Sequence, residues 1–379
     1  MPSYYEFFAG GGMARAGLGR EWNCLFANDF DKKKAASYTE NWGSDSFRLG
    51  DIRELTIRDL PATRADLAWA SFPCQDLSLA GVRAGLSGER SGTFWPFWAL
   101  INDLRKSGNV PRTVVLENVC GAVTSHEGRD FQAICSALSD SGYRFGALII
   151  DAAHFLPHSR PRLFFFGVAD DLRVPEELIL GKPDPTWHTS SLCAAHAALP
   201  SRLRSRWAWW NLPRPIVQAP KLLSLLEEAP RDVTWNSKTE TQRLISMMSD
   251  TNLRKLEEAK RSGTTRVGTL YRRTRKDRFG EKSQRAEIRF DIAGCLRTPT
   301  GGSSRQSVLI VRGGTIKSRL ISARESARLM GLPESYRLPK NYNDAYHLTG
   351  DGVAVPVVAH IESHLLTPIL SAGTSAQAA

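Results

Sequence analysis

The chain has 379 residues, with 50 lysines and arginines against 39 aspartates and glutamates, a net charge of +11 at neutral pH. Hydrophobic residues make up 42% and charged residues 23%, the balance of a folded chain with room for one large domain, or a large one with a smaller partner. The longest apolar stretches, such as residues 162–169, fall far short of the roughly 20 residues of a membrane helix. The N-terminal residues lack the basic region and long apolar run of a secretory signal. The six cysteines, at 24, 74, 120, 135, 193 and 295, show neither CxxC metal spacing nor a disulfide framework. A reduced, cytoplasmic, metal-free monomer is expected. The cationic surplus fits either an ordinary basic protein or a polyanionic partner.

In chain order, strands are predicted at residues 4–8, 24–27, 67–70, 113–117, 144–151 and 163–168, each followed by Gly, Pro or Asn and a mixed segment. Strands alternating with helices imply right-handed βαβ units, hence an α/β fold with a mostly parallel sheet and helices on both faces. After residue 170 the rhythm is lost and prolines become frequent. Trp207, Trp209 and Trp210 fit the core of a small domain better than base contact. Residues 271–289 carry eight Lys/Arg against three acids, which fits a nucleic-acid surface or a solvated basic face. Helical pattern returns at 322–330 and again at 353–366, and the tail after residue 370 reads as frayed.

Three strand ends carry ligand-binding chemistry. Glu6-Phe7-Phe8-Ala9-Gly10-Gly11-Gly12 is a strand ending in glycines, which lets backbone approach a ligand. It departs from the dinucleotide pattern because Arg15 occupies the last glycine slot. Asn28-Asp29-Phe30-Asp31 follows the second strand, where an acid suits ribose hydroxyls and an aromatic suits a purine. Gly50-Asp51-Ile52 follows later, where a carboxylate suits an exocyclic amine. Such a series of strand ends is the usual ligand rim of a doubly wound sheet.

Three further ends carry reactive groups. Pro73 fixes the backbone before Cys74, a cysteine on a strand-end loop and so placed for attack. Glu117 ends an apolar strand, where ionising it is costly, which makes it a candidate proton donor. Arg160 and Arg162 are two apart in an extended segment and are expected to reach one anionic or carbonyl group together.

These motifs together resemble the DNA cytosine-5 methyltransferases of bacteria and phages, over most of the chain outside residues 171–290. FFAGGGMARAG is similar to the family's first S-adenosylmethionine motif, NDFD to the second and GDI to the third. SFPCQDLSLAG resembles the Pro-Cys-Gln motif, SGTFWPFWAL the fifth and LENV the Glu-Asn-Val motif. HSRPRLFFFGV resembles the two-arginine segment, and SARESARLMGLPESY and TGDGVAVPVVAHI the last two. Asp29 and Phe30 stand where Glu and Trp are commonest, and Gly350-Asp351 where Gly-Asn is.

The resemblance implies methyl transfer from S-adenosylmethionine, without a metal, to C5 of a flipped cytosine in a specific duplex DNA sequence, through a Cys74–C6 adduct. It places Glu117 at N3 of the ring and Asn118 and Arg162 around it, with Arg160 and Ser78 near phosphate or the loop. It puts Phe8, Gly10, Gly12, Asp29, Phe30, Asp51, Ile52, Pro73, Thr93 and Val353 around the cofactor. It implies a Rossmann-like catalytic domain of residues 1–170 and 311–379 and a target-recognition domain of residues 171–310. DNA contacts are expected from Arg272, Arg273, Arg275, Arg297, Ser303, Ser304 and Arg305, and residues 79–92 suit a loop closing over the base. A cognate restriction endonuclease is a possible partner. The alternatives are an RNA cytosine-5 methyltransferase and an inactive DNA-binding homologue.

Overall fold

The computed structural model describes residues 1–73, 91–276, 282–296 and 304–377. The chain divides into two compact units. The first comprises Met1–Asp151, Pro161–Pro215 and Val353–Ala379; the second comprises Ala152–Arg160 and Ile216–Gly352. These boundaries depart from 171 and 311: residues 171–215 fall with the first unit and residues 311–352 with the second.

The first unit is built on β1 (Ser3–Phe7), β2 (Asn23–Asp29), β3 (Phe47–Leu49), β4 (Leu67–Ala70), β5 (Thr113–Val119), β6 (Tyr143–Asp151) and β7 (Pro161–Ala169). Their order is β3-β2-β1-β4-β5-β7-β6. β3, β2, β1, β4 and β5 are mutually parallel, while β7 runs antiparallel between β5 and β6. The chain moves outward from β1 to β3, then returns to place β4 on the other side of β1. The carboxyl ends flanking that reversal form the crevice where open α/β sheets bind ligands.

Both faces of the sheet are covered. Tyr5 and Phe7 point to one face, where Phe26, Phe94 and Phe97 pack in the main core. Helix Phe94–Lys106 lies there because Phe94, Phe97, Trp98, Ile101 and Leu104 recur at helical spacing. Glu6 points to the opposite face, toward Tyr38 of helix Lys32–Trp42. Helix Met13–Leu18 packs against helix Val355–Ile361, and Gly17 makes this contact possible: a Cβ there would lie 2.4 Å from Val358 Cβ.

A two-stranded sheet, β8 (Ile179–Leu180) with β9 (Trp209–Trp210), also belongs to the first unit. Trp210 is fully buried and donates its indole N–H to Phe166 O at 3.2 Å, and Trp207 packs on Phe131 and Phe145. The tryptophans are therefore core residues, but of the large unit rather than of a small domain.

The second unit holds a four-stranded antiparallel sheet in the order β11-β10-β12-β13: β10 (Thr265–Lys276), β11 (Lys282–Phe290), β12 (Ser307–Arg312) and β13 (Thr315–Leu320). Leu270, Ala286, Ile288, Leu309 and Val311 pack with Ile245, Leu256 and Ala259 from helices Lys238–Ser246 and Asp250–Arg261.

The helical run Tyr342–Gly373 is longer and more apolar than the sequence reading allows for, and by composition alone it could cross a membrane. It leaves helical geometry at Gly352 and Ala354, and 56% of its most apolar window is buried inside the protein. Helix continues over Thr367–Gln377, where fraying is expected from composition.

Candidate active site

Because β1–β5 are parallel, their carboxyl ends share one edge, in the spatial order Gly50–Asp51, Asp29, Phe8–Gly12, Ser71–Pro73 and Glu117. β7 begins at that edge, which brings Arg162 to it.

The glycine turn is backbone-strained. Phe8, Gly10 and Gly12 all have positive φ (57°, 56° and 76°). Gly12 N–H donates to Ala9 O at 2.8 Å, closing a turn around Gly10 and Gly11. Asp29 holds this turn: one carboxylate oxygen accepts from Gly10 N–H and the other from Asp31 N–H, both at 2.8 Å. Burial pushes the Asp29 carboxyl above the ordinary range, opposed by Lys34 and by these backbone donors. Among the described residues, a Cβ at Gly10 would meet nothing within 4 Å, so the turn faces open space among them. Next to it, Phe30 is 66% exposed, although an aromatic of that size is normally covered. A strained turn over open space, flanked by an uncovered aromatic and a carboxylate, fits a nucleoside-bearing cofactor.

Asp51 follows β3 and caps the short helix Ile52–Glu54, with Ile52 buried. Its carboxylate is already paired: Arg53 Nη2 lies 2.6 Å from Oδ2 and Nε 3.0 Å from Oδ1, which holds its carboxyl below the ordinary range. Thr93 precedes helix Phe94–Lys106, and Val353 is buried in the first unit.

At β5, Glu117 is 7% exposed. Phe164 of β7 lies directly across from it, and Val119 across from Arg162. Residues two apart share a face of the sheet, so Arg162 and Glu117 are diagonal neighbours, and Arg162 Nε lies 3.1 Å from Glu117 Oε1. Asn118 points to the other face, where its Nδ2 donates to Phe72 O at 3.2 Å and its Oδ1 accepts from Val119 N–H at 2.8 Å. It thereby holds the chain entering Pro73, a role that composition and spacing did not reveal. Cys74, Ser78 and the loop of residues 79–92, apart from its last two positions, lie outside the described residues. Burial pushes the thiol of Cys120 up to about 11 and that of Cys135 well above its usual value, so neither competes as a thiolate.

The expected pairing of Arg160 with Arg162 does not hold. Arg160 belongs to the second unit and is 2% exposed; it donates to Gly352 O at 2.6 Å and to Cys295 Sγ at 3.4 Å. β7 begins only at Pro161, so Arg160 precedes the strand and does not share its alternation. Its segment is tied instead by an isolated bridge between His158 and Ala293.

In the second unit, Arg272 is exposed on β10, and Ser304 brackets its backbone: Arg272 N–H donates to Ser304 Oγ and Ser304 N–H to Arg272 O. Arg273 is engaged with Tyr271 and Glu287. The Arg305 guanidinium packs over Tyr342, 5.3 Å from the ring centre. Both side chains are half-buried and each has an internal contact. Arg297 and Ser303 lie outside the described residues, as does the side chain of Arg275.

The sequence reading also passed over Glu6, 1% exposed on β1, whose carboxyl burial pushes up to about 8 against the opposing pull of Arg15. The available signal was a lone acid inside the apolar run YYEFF. Among the described residues, no group of three or more His, Cys, Asp and Glu side chains is arranged to hold a metal.

The model of C-5 cytosine-specific DNA methylases matches residues 3–367. The chain belongs to that family. Among curated relatives, the Type II methyltransferase M.DsaV of Dactylococcopsis salina is 27% identical over 97% of this chain and 86% of its own length. The Type II methyltransferase M.NlaX of Neisseria lactamica is 25% identical over 95% of each. Among solved structures, the Entamoeba histolytica methyltransferase EhMeth superposes with a TM-score of 0.62 at 13% identity, covering 97% of this chain and 98% of that one. The S. pombe Dnmt2 methyltransferase gives 0.58 at 18%, covering 97% and 99%. These two likenesses establish the fold. The chain is therefore a DNA cytosine-5 methylase, and its family uses S-adenosylmethionine as methyl donor.

Proposed function

We propose that this methylase acts on a cytosine turned out of duplex DNA and binds it covalently through Cys74. The observation carrying this reading is the Glu117–Arg162 pair at 3.1 Å, set one strand away from the backbone that Asn118 holds just before Cys74. Cytosine C5 is a poor nucleophile. Addition of the Cys74 thiolate to C6 pushes an electron pair toward N3, where Glu117 supplies a proton, and leaves C5 enamine-like. When bound, S-adenosylmethionine would supply an electrophilic methyl group to C5, its sulfonium becoming the thioether of S-adenosylhomocysteine. Loss of the C5 proton to a base then expels the thiolate, N3 returns its proton to Glu117, and the aromatic ring is restored. Arg162 orients Glu117, and Asn118 keeps the nucleophile's loop at its strand end. Stacking in the duplex covers the two faces of the ring through which the thiolate reaches C6 and the methyl group reaches C5, so extrusion of the base is required.

The residues proposed around the cofactor are Phe8, Gly10, Gly12, Asp29, Phe30, Asp51, Ile52, Pro73, Thr93 and Val353. Asp51 must exchange part of its Arg53 pairing for an adenine amine. The second unit is proposed to read the DNA sequence, with Arg272 as a phosphate contact. The Type II names of the relatives suggest a cytoplasmic enzyme paired with a restriction endonuclease.

Label from tritiated S-adenosylmethionine should enter duplex DNA, and not transfer RNA, as 5-methylcytosine. Cys74→Ser should abolish transfer while leaving cofactor binding intact; transfer persisting in that variant overturns the assignment. DNA carrying 5-fluorocytosine, which cannot lose a C5 proton, should trap an adduct that maps to residue 74.

A further inference from the structure

We propose that Trp42 is a positioning residue for the methyl donor, its indole N–H holding the Gly11 carbonyl and with it the glycine turn that faces the cofactor. The inference rests on the cofactor reading above and concerns a residue outside every motif of the sequence.

Trp42 is the last residue of helix Lys32–Trp42, which Gly43 terminates at φ 82°. Its Nε1 donates to Gly11 O at 3.0 Å. On the other side of the same turn, Asp29 accepts from Gly10 N–H at 2.8 Å. Gly10 and Gly11 have no Cβ to oppose rotation of their peptide planes, so hydrogen bonds set those orientations: the Gly11–Gly12 peptide is held at its N–H by Ala9 O and at its carbonyl by Trp42. The indole also fills the space beside the next glycine: a Cβ at Gly12 would lie 2.3 Å from Trp42 Nε1 and 2.7 Å from Cδ1. The ring is itself fixed, because the Arg15 guanidinium lies 5.4 Å from its centre while Arg15 Nη1 donates to Tyr38 Oη at 3.0 Å. The turn is therefore gripped by a carboxylate at the Ala9–Gly10 peptide and an indole at the Gly11–Gly12 peptide, and its binding shape exists before any ligand arrives.

The test compares wild type, Trp42→Phe and Trp42→His. Phenylalanine keeps an aromatic ring and loses the donor. The five-membered ring of histidine overlays the pyrrole ring of tryptophan, so its Nε2–H can replace the lost N–H. Calorimetric Kd values for S-adenosylmethionine and S-adenosylhomocysteine, measured without DNA, should rise about 5- to 10-fold in Trp42→Phe, the value of one neutral hydrogen bond. They should stay within about threefold of wild type in Trp42→His. The cofactor KM should follow Kd, while kcat at saturating cofactor and the KM for DNA hold steady; a merely structural role would move all of them together. If Trp42→Phe does not fold, Trp42→Met serves, with the same expected loss. Unchanged affinity in the donor-free variant, or equal losses in the phenylalanine and histidine variants, overturns the inference. Failure of the wild type to bind either ligand overturns the cofactor reading instead.

Discussion

At the rim of the seven-stranded sheet, Asp29 and Glu117 are buried, and donors of the same unit meet their carboxylates at 2.8–3.1 Å. On the β10–β11 ribbon, Arg272, Arg285 and Arg289 remain exposed to water. An ionised acid withdrawn from solvent is tolerable only with donors fixed around it, so burial of charge and geometric precision arrive together. A solvated cation needs no fixed partner and can adapt to a flexible polyanion. The first arrangement suits chemistry at one atom; the second suits adhesion along a repeating backbone.

The sharpest way to break this contrast is to remove Arg162. Arg162→Met leaves Glu117 buried without its partner, and kcat/KM for methyl transfer should fall by about 100-fold or more, with cofactor Kd unchanged. A loss below tenfold would mean that the pair does not serve the reaction. Asp29→Ala comes next: it removes the acceptor for two backbone N–H groups, and cofactor Kd should rise at least about tenfold, while DNA binding without cofactor stays constant. On the ribbon, Arg272→Ala should weaken DNA binding only several-fold and almost equally for all sequences, lowering the salt slope by about one; a sequence-dependent loss would make it a base reader. Glu6→Gln should have the smallest effect. Burial raises the Glu6 carboxyl from 4.5 to about 8, so folding favours its protonated form, and stability declines as pH rises from about 4.5 through 8. The melting temperature of wild type should therefore fall over that range more than that of Glu6→Gln, and parallel curves would show that Glu6 is not the group responsible.

The rim was legible because a parallel sheet converts sequence into position. Residues following β1, β2, β4 and β5 share one edge whatever the loops do, so Phe8, Asp29, Pro73 and Glu117 could be grouped without coordinates. β3 was missed because three residues cannot display a period. Arg160 was misjudged because alternation was extended one residue beyond the strand that begins at Pro161. The ribbon resisted for another reason: composition gave its charge, but only the register, with Tyr271 opposite Glu287, revealed that Arg273 is already engaged. The tryptophans at 207–210 read correctly as core residues and were assigned to the wrong unit, since burial is a local property and unit membership is not. Trp42 carried no signal because its role depends on where a helix ends relative to a turn 31 residues earlier.

The contact between Gly17 and Val358 sets a schedule for biosynthesis. The helix that covers Met13–Leu18 is translated some 340 residues after it, on the order of 20 to 70 s later at ordinary elongation rates. Throughout that interval the nascent chain exposes an apolar strip awaiting its lid. Slower synthesis of the intervening chain lengthens that exposure, and faster synthesis shortens it.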